Sequence, residues 1–124
     1  MGDRLNVEFK FTETDSVHLY AHWAGSRILG TSFDASRKNL AQALENAQGR
    51  LGDKTYYSRI VMSQLIGEDW SQNLSWGIAP YYIDSEYSDV VIDMTDMGKK
   101  WFLHLNSKSI PLNKDTDYGV ILND

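Results

Sequence analysis

The sequence predicts a single α+β domain: one mainly antiparallel sheet, in the chain order β-β-α-α-β-β-β, with two helices packed on one face. Three observations predict it. Apolar and polar residues alternate at period two in the first quarter of the chain and again near residue 100. Apolar residues recur at helical spacing between Leu40 and Leu65. The chain of 124 residues, 42% hydrophobic and 12% aromatic, is long enough to bury one core without a disulfide or metal staple.

Leu5, Val7, Phe9 and Phe11 alternate with Asn6, Glu8 and Lys10, the pattern of a half-buried strand. Val17, Leu19, Ala21 and Trp23 alternate in the same way with His18, Tyr20 and His22. The polar run between them reads as a turn, so the two strands form an antiparallel hairpin. Matching Phe9 with Leu19 sets Asn6 opposite His22 and Glu8 opposite Tyr20. Ala24 to Phe33, with its glycines and hydroxyls, is expected to be a loop. Asp34 or Ser36 then caps a helix running to about Gln48, with Leu40, Ala43, Leu44 and Ala47 on one face and Gly49 ending it. A second helix, Lys54 to Ile66, buries Tyr57, Ile60, Val61 and Leu65 and stops at Gly67.

Trp76 to Ile83 reads as a strand whose Pro80 suits an edge or a bulge. Val90 to Met94 is a short apolar strand, Thr95 to Gly98 a turn, and Lys99 to Leu105 a last strand. Residues 106–124, with Pro111 and a polar run, are expected to form an irregular C-terminal extension of the same domain. No internal repeat or linker divides the chain.

The formal charge of −5 is concentrated. Residues 60–98 hold Glu68, Asp69, Asp84, Glu86, Asp89, Asp93 and Asp96 and no Lys or Arg. Duplex nucleic acid, which needs a basic surface to displace counterions, is therefore not an expected partner. The absence of cysteine excludes disulfides, thiolate zinc sites and a thiol nucleophile, and fits a cytoplasmic setting. No segment reaches the roughly 20 apolar residues of a membrane span, and no signal-peptide run opens the chain, so no membrane partner is expected.

His18 and His22, four apart on a strand, stand about 13 Å from each other and cannot share a metal. No Walker A, G-x-G-x-x-G or G-x-S-x-G motif occurs, and neither a metal, a cofactor nor a catalytic residue is assigned. The more suggestive set is Arg4 and Asn6 on the first strand, with Asp3 beside them, then Tyr20, His22 and Trp23 on the second, and Arg59 on the second helix. Arginine suits phosphate, Asn and His give directional hydrogen bonds to a base or ribose, and Trp or Tyr offers a stacking plane. These are nucleotide-binding materials.

The segments Gly-Asp-Arg-x-Asn at 2–6, His18-Leu-Tyr-Ala-His-Trp-Ala-Gly25, Tyr57-Ser-Arg-Ile-Val61 and Trp76-Gly-Ile-Ala-Pro-Tyr81 resemble a family of small uncharacterised phage and prophage proteins. Ala24 stands where that family usually has Gly. The resemblance covers roughly residues 2–94 and implies a phage context, hence action on host physiology or defence in the host cytoplasm. Three functions follow as expectations. The first is a sponge that sequesters a nucleotide-derived immune signal, such as a cyclic oligonucleotide or an ADP-ribose derivative, through Arg4, Asn6, Tyr20, His22, Trp23 and Arg59 in a homodimer or higher homo-oligomer. The second is an inhibitor of a host defence nuclease or CRISPR complex, docking through Asp84, Glu86, Asp89 and Asp93. The third is a small phosphodiesterase with His22 as general acid or base.

Overall fold

The computed structural model describes residues 3–31 and 37–120, and it has the expected α+β class. Six strands form one mixed sheet: β1 (Leu5–Lys10), β2 (Ser16–Ala21), β3 (Trp76–Ala79), β4 (Val90–Asp93), β5 (Phe102–Leu105) and β6 (Lys108–Pro111). Their spatial order is β3-β2-β1-β4-β5-β6, and only β1 and β4 pair in parallel. The helices are α1 (Gly25–Ile28), α2 (Leu40–Asn46) and α3 (Lys54–Ile66).

β1 and β2 form the expected hairpin in a different register. Val17, not Leu19, faces Phe9, so Asn6 lies opposite Tyr20 and Glu8 opposite His18. The turn decides this. Thr12 Oγ1 accepts the backbone N–H groups of Thr14 (3.3 Å) and Asp15 (3.0 Å), and the Phe11 N–H already reaches the Asp15 carbonyl at 2.9 Å. The slip is two residues, which leaves every side chain on its expected face.

Leu5, Val7, Phe9, Leu19, Ala21, Val90, Ile92, Leu103 and Leu105 are buried on one face of the sheet. With Leu40, Ala43, Leu44 and Ala47 and then Tyr57, Val61 and Leu65 from the helices, they make one apolar cluster. The helical spacing seen in the sequence thus faces the strand alternation. Asn39 caps α2 with a capping box, its Oδ1 accepting the Gln42 N–H and the Gln42 Oε1 accepting the Asn39 N–H, both at 2.9 Å. The expected caps Asp34 and Ser36 lie outside the described residues. Asp53 caps α3, and Gly67 ends it at a positive φ of 53°.

β3 stops at Ala79, short of the expected Ile83, because Pro80 has no N–H to continue the ladder. The chain then runs as a strap, residues 80–89, across the other face of the sheet to reach β4. Ile83 N–H donates to Asn6 Oδ1 (3.0 Å), and Tyr82 packs edge-on to His18. This strap buries Asn6 and His18, which strand alternation alone would leave in water.

The stretch from residue 106, expected to be irregular, joins the sheet. Asn106 and Ser107 have φ of 52° and 66°, the signature of a two-residue type I′ hairpin turn, and they lead into β6. Leu112 and Tyr118 return to the core.

Candidate functional site

Two clefts meet at the start of β3. The first, about 370 Å3, is lined by Trp23, Ala24, Ser26, Arg27, Arg37, Asp69, Gln72, Ser75 and Trp76. The second, about 300 Å3, is lined by Tyr20, His22, Trp23, Asn73, Leu74, Ser75, Trp76 and Gly77. Trp23, Ser75 and Trp76 belong to both and form the partition between a polar and a more apolar compartment.

The polar cleft is built around Asp69, in the 3-10 turn that follows α3. Its carboxylate accepts from Arg37, from Trp76 Nε1 (3.1 Å) and from Gln72 Nε2 (3.2 Å). Burial raises the pKa of Asp69, but the hydrogen bonds from Arg37 and Trp76 and the charges of Arg37 and Arg27 outweigh it, so the carboxyl titrates below its ordinary 3.8. Arg27, on α1, donates to the carbonyls of Lys38 and, at 3.0 Å, Leu65, and its guanidinium sits 5.8 Å from the Trp76 ring. Two guanidinium groups and the Trp76 indole are thereby fixed around one cavity by bonds to the scaffold.

In the second cleft the Tyr20 hydroxyl meets His22 Nδ1 at 2.7 Å, and the His22 and Trp23 rings pack edge-to-face with centroids 4.2 Å apart. Trp23 is 57% exposed. Nothing in the core requires its ring there.

Of the six residues expected to bind ligand, Tyr20, His22 and Trp23 come together at the clefts. Arg4, Asn6 and Arg59 do not line them. Arg4 turns to the strap, with Nε 2.7 Å from Asp84 and NH2 3.3 Å from Glu86. The Asp84 contact is an ion pair rather than a hydrogen bond, because the Nε N–H is not aligned on the carboxylate. Asn6 Nδ2 donates to His18 Nδ1 on β2 (3.0 Å) while its Oδ1 takes the Ile83 N–H of the strap, which commits the whole amide between β2 and the strap. Arg59 projects from the exposed side of α3. Arg27, Arg37, Asp69 and Trp76 were missed because they are spread over a span of 49 residues in sequence and meet only when the chain folds.

Gly25 explains how the motif after Trp23 folds. A Cβ there would stand 2.6 Å from Tyr87 Cε2 and 2.8 Å from the Asp3 carbonyl oxygen. Asp3 in turn accepts from the Ser26 N–H, the Ser26 hydroxyl and the Tyr87 hydroxyl, pinning the strap to α1. The bond to Asp3, followed by burial, pushes the Tyr87 phenol up to about 12. Ala24 has φ −118°, which any residue adopts, so Ala in place of Gly leaves this geometry intact.

Of the four acidic residues expected to dock a partner, three are engaged within the domain. Asp84 and Glu86 are held by Arg4, Asp93 accepts from Thr95 and from His104 Nε2 (3.1 Å), and Asp89 is exposed. His104 Nδ1 also meets Ser109 Oγ at 2.9 Å, so Asp93, His104 and Ser109 form a hydrogen-bonded chain across β4, β5 and β6. It lies outside both clefts, with His104 40% exposed, so water competes for each bond. Among the described residues no group of three or more His, Asp or Glu side chains could hold a metal ion.

The fold and its paired clefts define a small α+β domain with a concave site at a sheet edge. No protein-family model, curated protein or solved structure matches the chain. No helix among the described residues is long and apolar enough to cross a membrane.

Proposed function

We propose that this protein is a phage anti-defence sponge that binds and sequesters a nucleotide-derived immune signal, such as a cyclic oligonucleotide or an ADP-ribose derivative. The observation that carries the reading is the pair of adjoining clefts. Arg27 and Arg37 line the one of about 370 Å3, Tyr20, His22 and Leu74 line its neighbour, and Trp23 and Trp76 stand between them. Phosphates suit a compartment edged by guanidinium groups, and a base suits one edged by aromatic faces. Ser26, Gln72 and Asn73 supply polar groups able to read ribose or base edges.

Sequestration is favoured over hydrolysis by the state of His22. Its Nδ1 is engaged by a phenol rather than a carboxylate, which leaves no acid to orient it as a base. Docking through acidic residues has less support, since Asp84, Glu86 and Asp93 are engaged within the domain.

The test is capture. Purified protein is incubated with extract from cells carrying an activated nucleotide-signalling defence, freed of small molecules, heat-denatured, and the released material analysed by mass spectrometry. Intact nucleotide in stoichiometric amount, lost with Trp23→Ala, supports the reading. A cleaved product supports the phosphodiesterase. Release of nothing nucleotide-like, from protein that leaves the extract still able to activate its effector, sinks both.

A further inference from the structure

We infer that β3 pairs antiparallel with β3 of a second copy of this chain, joining two sheets across a two-fold axis beside the clefts. β3 is an edge strand of the sheet. In its ladder with β2 the His22 N–H donates to the Ser75 carbonyl (2.7 Å), so residues 75, 77 and 79 turn their backbone groups toward β2. The N–H and C=O of Trp76 and Ile78 therefore face away from the sheet, and no turn or loop hydrogen bond among the described residues takes them up. Pro80 bounds this free edge beyond Ile78.

The outward groups are complementary to themselves. With Gly77 of the two copies on the axis, Trp76 of each faces Ile78 of the other, and the two pairs exchange about four backbone hydrogen bonds. The side chains that flank this line are apolar and open: Ile78 is 67% exposed, Leu74 78% and Trp70 80%. Trp70 and Ile78 edge one shallow depression of about 270 Å3 with Ile66 and Leu19, a place for the facing copy's side chains.

Charge selects a second copy as the occupant. The chain carries −5, yet residues 70–83 contain no Asp, Glu, Lys or Arg. Two copies therefore approach through this face with the least like-charge repulsion, since Asp69 at the depression is already paired with Arg37 of its own chain. The opposite edge is protected. β6 carries Lys108, and the Pro111 carbonyl is taken by Thr116 Oγ1 at 2.5 Å.

Pairing needs no ligand, so it is tested on ligand-free protein by sedimentation across low to high micromolar concentration. The expected result is twice the chain mass. Ile78→Lys, on an exposed side chain that leaves the fold intact by circular dichroism, should weaken dimerisation at least tenfold, whereas Ser109→Lys on β6 should not. Hydrogen exchange should show the Trp76 and Ile78 amides slow in the dimer and fast in the Ile78→Lys protein. A wild type that stays monomeric, a dimer unweakened by Ile78→Lys, or a dimer whose Trp76 and Ile78 amides exchange freely each overturns the pairing. None of these outcomes touches the ligand reading, which capture tests separately.

Discussion

Arg4 and the pair Arg27 and Arg37 carry the same guanidinium group to different places in the fold. Arg4 lies under the strap between two carboxylates, Asp84 and Glu86, and its backbone N–H also meets Glu86 at 3.3 Å. Around Arg27 and Arg37 the cleft lining supplies Asp69, which pairs with Arg37, and the rings of Trp23 and Trp76, while Arg27 donates to the Lys38 and Leu65 carbonyls. One arginine closes a seam of the fold. The other two edge a cavity into which a ligand can come. Residue type was thus a weaker guide to binding than position: all three guanidinium groups have partners within the domain, but Arg27 and Arg37 stand at the wall of a cleft and Arg4 does not.

The largest effect expected on the strap side comes from Asn6→Ala, which leaves the Ile83 N–H and the His18 ring nitrogen without partners in a buried setting. Two such losses should cost about 2–3 kcal/mol, read from the urea midpoint. A cost near zero would mean that the strap is not held by this amide, and the contrast with the cleft would fail. Next in size, Trp23→Ala should lower retention of captured nucleotide at least tenfold, about 1.4 kcal/mol, while changing stability by less than about 0.5 kcal/mol because the ring is largely exposed. Smaller again, Arg4→Gln should reduce stability by about 1 kcal/mol or less, the range of a partly exposed ion pair, and leave capture unchanged. Reduced capture with Arg4→Gln would move the ligand to the strap.

Much of the fold was legible because it rests on local periodicity. The strand at Leu5, the helix from Lys54 to Ile66 and its stop at Gly67 are each written in residues next to one another. The hairpin register was misjudged by two because alternation fixes the face but not the pairing, which Thr12 settles in the turn. β6 was overlooked because its sequence, Lys-Ser-Ile-Pro, has one apolar position and a proline, and its turn uses Asn106 and Ser107 rather than a glycine. The site was half legible. Tyr20, His22 and Trp23 are neighbours on one strand and its exit, but their companions Arg27, Arg37, Asp69 and Trp76 are assembled by tertiary packing. The strap hid the rest: no pattern in residues 80–89 announces that they cross the sheet and claim Arg4 and Asn6.

Acid separates the two sides least, because each has a depressed carboxylate. Asp69 in the cleft and Asp3 beneath the strap both titrate below 3.8, burial being outweighed at Asp69 by Arg37 and Trp76 and at Asp3 by Ser26 and Tyr87. A carboxyl with a lowered folded pKa gives stability that is complete above its unfolded value and lost as pH falls through the folded one. The unfolding midpoint should therefore hold steady down to about pH 4 and decline below it. Replacing Asp69 with Asn should flatten part of that decline and loosen Arg37 and Trp76 in the cleft. Replacing Asp3 should flatten part of it while sparing the cleft, and Trp fluorescence recorded alongside the unfolding curve distinguishes them, since Trp76 bonds Asp69 and no tryptophan bonds Asp3. If Asp69→Asn leaves both the acid decline and the fluorescence unchanged, Asp69 is not the residue that orders the polar cleft.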